Sequence, residues 1–418
     1  MTDDPGDDSG DGAPRPASAR RRIALGAGLC VVLCLLAAYA FAVRGHDRPA
    51  PVAAPSPAAA RAPRPADVRT VLADRAAAVR AGDRARFLAT VASAPAAFQD
   101  AQGRVFDNLR RLPLATWGEH YESADGTTVA ITVRYRFAGY DHADVVRERH
   151  LRFAFRSGAW VIVGSGTGDA PEIWDGGPLT VVRGASSLVV GDAPGLDQIA
   201  GLLDRAVPAV TAVTGRDWAR RVVALAPARP AVAAALAGDD QDLGQIAALA
   251  TVAPGDDGSP GNDRVLISPG TFDRLNPLGR RVVLTHELTH VATGGAHDGR
   301  TPLWLIEGFA DYVGYRDAKV SVRAAAGELA ADVRAGRVPA ALPSRAAFGS
   351  GSDGLAQAYQ EAWLACRMIA ERYGEATLVR LYRAAGRHDE GAAVRDVLGT
   401  SRAKLTAAWR DYLRRELR

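Results

Sequence analysis

The chain has 418 residues, 48% hydrophobic and 23% charged, so it is long enough for two or three folded domains with sizeable cores. Its 51 basic and 47 acidic side chains leave a formal net charge of only +4, which argues against a nucleic-acid binder, because such a protein needs a concentrated basic face. Three cysteines, two of them inside one apolar run and Cys366 alone, argue against a disulfide framework and against a cysteine-based zinc site.

The N-terminal region has the composition of an exported protein. Residues 1–22 are acidic, rich in Pro and Gly, and predicted to be a disordered cytoplasmic tail that ends in three arginines. Residues 23–43 carry no charge and are predicted to form a transmembrane helix, with the arginines favouring a cytoplasmic N-terminus. Because Ala38-Tyr39-Ala40 resembles a signal-peptidase site, cleavage after Ala40 and secretion remain the alternative. Residues 44–65 are predicted to be a Pro/Ala linker, and the rest of the chain is expected outside the cytoplasm.

Residues 66–168 are predicted to form a small α+β domain. Apolar residues from Val68 to Val79 recur at helical spacing, and a second short helix is expected around Phe87. Period-two alternation then predicts strands at 127–137, 149–156 and 159–163. Helices followed by a curled antiparallel sheet resemble the cone-like fold of the nuclear-transport-factor-two superfamily. That resemblance is topological and leaves the role of the domain open.

Residues 176–418 are predicted to form a second domain, after a Gly- and Pro-rich boundary at 164–178. A helix is expected at 196–213, and beyond Pro277 the pattern is almost wholly helical. The predicted strands are at 179–182, 187–190, 222–226, 247–253 and 264–268. The predicted fold class is therefore α+β, with a mixed sheet followed by C-terminal helices.

Two histidines four residues apart carry the sharpest chemical signal in the sequence. On a helix, His286 and His290 project from the same face, where both imidazoles can reach one ion. Glu287 is rotated about a quarter-turn from His286, which places its carboxylate beside an open metal position. The flanking residues are apolar, and burying these three side chains without a purpose would be unfavourable. We therefore expect a zinc site, since neutral imidazole is a good zinc ligand.

A glutamate in the following apolar segment is the predicted third ligand. Glu307 lies 17 residues after His290, beyond a glycine-containing loop that would let a second helix fold back. Thr301 is predicted to cap that helix, with Pro302 in its first turn. Asp311 lies one turn after Glu307 on the same face and is predicted to orient a ligating histidine.

These two segments resemble the gluzincin metallopeptidases, the thermolysin-like clan with a glutamate third ligand, and in particular the bacterial peptidase MA-like group. The second motif of that group, Trp-x-x-Glu-Gly-x-Ala-x-Tyr, corresponds here to Trp304, Glu307, Gly308, Ala310 and Tyr312. The resemblance implies a thermolysin-like domain that hydrolyses peptide bonds. It implies zinc bound by His286, His290 and Glu307, with Glu287 as the general base and Asp311 supporting the first histidine.

His297 is a rival third ligand, as in the metzincins. The metzincin spacing requires a histidine six residues after the second one, whereas His297 follows His290 by seven. Position 293, where that pattern has glycine, is Thr293. The only methionines are Met1 and Met368, and Met368 lies in a predicted helix, so no Met-turn is available. The sequence favours Glu307.

The gluzincin resemblance also implies an oxyanion donor and a substrate-binding strand. Tyr359 is the leading candidate for the donor, with Tyr312, Tyr315 and His297 as alternatives. A peptide or protein substrate is expected to lie along the edge strand predicted at 247–253. Two other functions remain open at this stage: a non-catalytic extracytoplasmic binding protein with a vestigial or structural metal site, and a zinc hydrolase acting on a non-peptide bond.

Overall fold

The computed structural model describes residues 62–238, 243–244, 246–255, 261–295, 298–349, 352 and 354–418. The predicted tail, transmembrane helix and most of the predicted linker lie outside those residues. Within the described ranges, no helix is both long and apolar enough to cross a membrane. The N-terminal segments therefore stay predictions.

The first region consists of three helices packed against a four-stranded sheet. The strands form an antiparallel meander in the order β1-β2-β3-β4. Helix α1 ends at Gly82, whose φ of +72° is a left-handed conformation that favours glycine. The elements are α1 (Pro65–Ala81), α2 (Arg84–Ala89), α3 (Ala96–Leu109), β1 (Leu114–Asp125), β2 (Thr128–Phe137), β3 (Val145–Arg156) and β4 (Ala159–Ser165).

The sequence prediction missed two of these elements. Strand β1 has no clean alternation, because most of its residues are half-buried or exposed on both faces. Helix α3 begins after Pro95 without a side-chain cap and contains Gly103, so its start and interior lack the usual helix signals. The other predicted helices and strands of this region are confirmed, although β3 begins four residues before the predicted position 149.

The second region contains a mixed five-stranded sheet in the order β5-β6-β7-β9-β8. Strand β7 lies between two parallel neighbours, whereas β5 and β8 pair antiparallel at the two edges. The predicted strands are confirmed to within two residues, and the short helix α5 was missed. The elements are β5 (Thr180–Arg183), β6 (Ser187–Gly191), α4 (Leu196–Thr214), β7 (Val222–Ala226), α5 (Pro230–Ala237), β8 (Ala248–Ala253) and β9 (Asn262–Ile267).

After β9 the described chain is helical, as the sequence predicts. Short 3-10 turns occur at Phe272–Arg274 and Arg345–Phe348. The helices are α6 (Pro277–Thr293), α7 (Leu303–Tyr315), α8 (Val322–Ala325), α9 (Gly327–Arg334), α10 (Leu355–Tyr373), α11 (Glu375–Ala385), α12 (Glu390–Leu398) and α13 (Arg402–Leu417).

The second sheet is buried on both faces. Leu188 and Val190 of β6 pack in a core shared with the first sheet. Val189 packs on the opposite face, against the helical layer formed by α4 and the helices after β9. This explains why β6 and β7 are apolar at nearly every position. Residues from Ala60 to Arg418 form one compact unit. The predicted division into domains at 168–176 stays a prediction, and a common core joins the two sheets.

Candidate metal centre

Helix α6 carries both histidines and Glu287. Asn276 caps its start by accepting a hydrogen bond from the Gly279 N–H at 2.8 Å, and Pro277 occupies the first turn. Leu284 and Leu288 are fully buried between the sheet and the neighbouring helices. That packing holds the opposite face, with His286, Glu287 and His290, each only 8% exposed, in the protein interior.

Helix α7 folds back against α6 and carries Glu307. The predicted cap at Thr301 is wrong, because Pro302 occupies the N-cap position and the helix begins at Leu303. The Thr301 hydroxyl donates instead to the Asp298 carboxylate, which also accepts from the backbone N–H groups of Arg300 and Thr301. The preceding turn is therefore stabilised by a local aspartate rather than by threonine.

Two glycines allow α7 to lie between α6 and α10. A Cβ on Gly308 would overlap the carbonyl oxygen of Ala362 in α10, and a Cβ on Gly314 would lie 3.0 Å from the carbonyl oxygen of Val282 in α6. Any side chain at Gly308 would push the two helices apart. The glycine that follows Glu307 thus allows α7 to pack closely against α10.

The side chains of His286, His290 and Glu307 converge on one point. The two Nε2 atoms lie 3.0 Å apart, and the Glu307 Oε2 atom lies 3.2 Å from His286 Nε2 and 3.4 Å from His290 Nε2. Ligands held tetrahedrally at about 2.0–2.1 Å from zinc are about 3.3–3.4 Å apart. Among the histidine, cysteine, aspartate and glutamate side chains of the described ranges, these three form the group that could hold a metal ion.

The electrostatics of the group fit a divalent cation. Asp311 Oδ1 lies 2.8 Å from His286 Nδ1, so Nδ1 is assigned the proton and Nε2 presents a lone pair to the convergence point. Burial opposes the charged form of His286, but Asp311, together with Glu307 and Glu287, outweighs it and raises the pKa of that imidazole well above its ordinary value. Without a metal the site therefore favours a proton on His286, which a bound cation would displace. Burial would also raise the pKa of Glu307, but the two imidazoles hold it well below its usual range. Two lone pairs and an ionised carboxylate directed at one point are the donor set of a His₂Glu zinc site.

The Glu287 carboxylate is held beside the ligands by the edge strand. Its Oε2 atom accepts a hydrogen bond from the backbone N–H of Ala250 in β8 at 2.7 Å. Burial raises the pKa of Glu287 above its ordinary value, although His286 and His290 oppose this. A carboxylate with one oxygen fixed and a raised pKa suits proton transfer near neutral pH.

Tyr359 lies on α10 on the other side of the ligand cluster. Its ring centroid is 6.1 Å from that of His286. Burial, followed by the nearby carboxylates, raises the pKa of Tyr359 well above its ordinary value, so the hydroxyl keeps its proton. Of the alternative donors, the Tyr312 hydroxyl donates to Glu375 at 2.7 Å, whereas Tyr315 packs against Trp363 and lines the same cavity as Tyr359. His297 lies outside the described residues.

A cavity of about 440 Å³ opens next to these side chains. Glu287, Asp311 and Tyr359 line its polar side, and Ala247 and Ala248, at the start of strand β8, border it. The remaining wall is largely apolar and includes Val282, Val283, Leu355 and Trp363. The cavity can therefore accommodate an apolar group close to His286 and Glu287.

Sequence reasoning did not identify the contact between Ala250 and Glu287. The donor is a backbone N–H, so no side chain at position 250 marks it. The reason for glycine at position 308 was also invisible, although the resemblance had included that residue in its motif. Both features depend on which segments the fold brings together.

No protein-family model matches this chain. No curated protein matches it either. Among solved structures, an M1 zinc metallopeptidase mutant from Deinococcus radiodurans bound to a Tyr-Ser-Ala substrate aligns with a TM-score of 0.33 and 13% identity, over 69% of this chain and 62% of that chain. A two-domain M1 zinc metallopeptidase mutant bound to L-tryptophan aligns with a TM-score of 0.33 and 14% identity, over 71% of each chain. The unmutated Deinococcus radiodurans enzyme aligns with a TM-score of 0.32 and 16% identity, over 70% and 61%. Similarity at this level does not establish the function of this chain.

Proposed function

We propose that this protein is a gluzincin-type zinc metallopeptidase that hydrolyses peptide bonds. In this proposal His286, His290 and Glu307 bind zinc, and Glu287 is the general base. The observation that carries the proposal is the convergence of three ligand atoms at 3.0–3.4 Å, with a buried Glu287 next to them. A purely structural zinc site would use a fourth protein ligand and would not need that glutamate.

The residues around the site have complementary roles in the proposed reaction. Bound zinc would activate a water molecule and polarise the scissile carbonyl. Glu287, oriented by the Ala250 N–H, takes a proton from the attacking water and delivers it to the leaving amine. Tyr359 donates a hydrogen bond to the oxyanion that develops on the carbonyl. Asp311 holds His286 in the tautomer that leaves Nε2 free to bind metal.

The geometry of β8 favours an extended peptide as the substrate. Ser268 N–H donates to the Ala247 carbonyl at 2.9 Å, so residue 247 and every second residue after it face β9. The backbone groups of Ala248, Ala250 and Val252 therefore point away from β9, and of these the Ala250 N–H is bonded to Glu287. In the described chain β8 is the last strand on this side of the sheet, and a peptide could add beside it while placing an apolar side chain in the cavity.

The proposed location is the extracytoplasmic side of the cell membrane. This part of the proposal is supported by the sequence of residues 23–43 and the arginines before it, with secretion after cleavage at Ala40 as the alternative. Immunoblotting of membrane and secreted fractions distinguishes them. An anchored protein sediments with membranes at full length, whereas a cleaved one is shorter and soluble.

The proposed function is tested with the purified full-length chain and quenched fluorescent peptides containing apolar residues. Chelator treatment should abolish hydrolysis and added zinc should restore it. Glu287→Gln should keep about one zinc per chain and lose turnover by roughly 10²–10⁴-fold, the usual contribution of a general base. The matched control is Glu328→Gln, an exposed glutamate on α9, which should retain wild-type turnover. Zinc binding without turnover in the wild type would favour the non-catalytic binding protein, and unchanged hydrolysis in Glu287→Gln would remove this residue from its role.

A further inference from the structure

The connection between β2 and β3 of the first sheet reaches across to strand β9 of the second sheet. Arg264 of β9 is 2% exposed and forms an ion pair with Asp141, whose side chain is fully buried. The Nη1–Oδ1 distance is 2.8 Å, and Nη2 donates to Oδ2 at 2.9 Å. Asp141 Oδ2 also accepts from the Phe137 N–H at 2.8 Å, which ties the carboxylate to the end of β2. Because this bidentate ion pair is shielded from water, it holds β9 and the end of β2 in a defined relative position.

A buried asparagine makes a second attachment at the same place. The Asn262 side chain, at the start of β9, donates to the Ala143 carbonyl at 2.9 Å and accepts from the His142 N–H at 3.0 Å. A third attachment joins β3 to the end of β8, where the Val146 N–H donates to the Pro254 carbonyl at 2.9 Å. All three attachments lie where β8 ends and β9 begins.

Strands β9 and β8 connect those attachments to Glu287, the candidate general base. Strand β8 pairs with β9, and Ala250 is opposite Val265, the neighbour of Arg264. The Ala250 N–H holds the Glu287 carboxylate at 2.7 Å. Because adjacent strands are held in register by their hydrogen bonds, a shift of β9 at Arg264 moves Ala250 as well. A misplacement of about 1 Å at a reacting group can lower turnover by as much as about 10²-fold.

We infer that Asp141, Arg264 and Asn262 are positioning residues for catalysis, and that the first sheet orients Glu287 through strands β9 and β8. The inference rests on the proposed function, because it assigns these residues to the orientation of its general base. The first region would therefore support the active site structurally, without binding a ligand of its own.

A buried asparagine at the opposite edge of the second sheet provides a matched control. Asn108 and Asn262 are each 2% exposed, and each makes three hydrogen bonds to backbone groups. Asn108 bonds to Trp174, Gly177 and Leu179, next to β5 rather than β8. Asn108→Ala and Asn262→Ala should therefore have similar effects on thermal stability, while only the second loosens the edge strand.

The test compares these two variants as full-length, zinc-loaded protein. Asn262→Ala should lower kcat about tenfold or more, with KM and zinc content near wild type, while Asn108→Ala should keep kcat within about twofold. Hydrogen exchange at the Ala250 amide should accelerate in Asn262→Ala and stay unchanged in Asn108→Ala. Equal kcat and equal Ala250 exchange in the two variants would overturn the inference.

A second variant covers the case in which Asn262→Ala does not fold. Asp141→Asn keeps the shape of the side chain and removes the charge that pairs with Arg264, and it should show the same loss of kcat and the same faster exchange at Ala250. Its matched control is Glu119→Gln, which neutralises a buried carboxylate paired with Arg75 within the first region. The exchange readout does not depend on turnover. A wild type that fails to cleave peptides would therefore contradict the proposed function, while unchanged Ala250 exchange in the variants would contradict only the positioning role.

Discussion

The first sheet and the helical layer both bury charged side chains, but they balance the charges differently. In the first region the buried carboxylates have arginine partners: Glu119 lies 3.3 Å from Arg75, and Glu172 lies 3.0 Å from Arg147. At the metal centre, two imidazoles and a carboxylate converge within 3.4 Å, and no ion pair with an arginine or lysine is seen there in the described part of the chain.

This difference distinguishes buried charges that stabilise the fold from buried charges that could bind a cation. The negative charge of a carboxylate paired with a guanidinium is neutralised by the protein itself, and such pairs are structural in most cases. Lone pairs and carboxylates that all face one point leave negative potential without a partner, which a bound cation would neutralise. Burial alone would not have separated the two regions, since Glu119 and Glu307 are similarly inaccessible.

The comparison is tested most strongly by removing the carboxylate ligand. Glu307→Ala should reduce zinc from about one ion per chain to below about a tenth, because two imidazoles alone leave the site without its anionic ligand. Metal analysis after dialysis measures this directly. His297→Ala is the matched control and should retain its zinc. The reverse pattern would favour the metzincin arrangement and contradict the geometry of α6 and α7.

Neutralising a paired carboxylate should affect stability rather than metal. Glu119→Gln leaves the Arg75 guanidinium buried without its counter-ion, so the free energy of unfolding should fall by about 3 kcal/mol. Zinc content and kcat of the folded variant should be unchanged. Denaturant unfolding and metal analysis measure the two quantities, and loss of zinc from folded Glu119→Gln would remove the distinction between the regions.

Removing the Tyr359 hydroxyl tests the oxyanion donor. Tyr359→Phe should lower kcat by roughly 10²–10³-fold while zinc content and KM change little, because the bond strengthens as charge develops on the oxygen. Tyr312→Phe provides the control, since its hydroxyl is bonded to Glu375 and should affect kcat little. Equal effects of the two substitutions would remove Tyr359 from the mechanism.

The smallest expected effect is that of the carboxylate behind the first histidine. Asp311→Asn should weaken zinc affinity by about 10–100-fold, because the imidazole loses the partner that fixes its tautomer and orientation. Competition with a chelator of known affinity measures the change. Unaltered affinity would show that the 2.8 Å contact between Asp311 and His286 does not strengthen zinc binding by His286.

The sequence predicts which side chains come together at the centre of the candidate site, and it predicts little of what surrounds them. His286, His290 and Glu307 could be assigned because helical periodicity places residues four apart on one face, and a glycine-containing loop permits the second helix to return. Strand β1 could not be predicted because its residues do not alternate between buried and exposed.

Contacts between distant segments left no sequence signal. The Ala250 N–H that holds Glu287 belongs to an alanine, and the Asp141–Arg264 pair joins residues 123 positions apart. The first contact depends on the packing of α6 against β8, and the second on the packing of the first sheet on the second. Patterns of neighbouring residues therefore indicate candidate ligands, whereas the contacts that would orient them depend on the fold.

Anomalous diffraction at the zinc edge, from crystals of the zinc-loaded protein, shows directly whether His286, His290 and Glu307 bind one zinc ion. We expect a single strong peak at about 2.0–2.2 Å from His286 Nε2, His290 Nε2 and a Glu307 carboxylate oxygen. A zinc peak elsewhere, with the Glu307 side chain turned away from the two imidazoles, would contradict it.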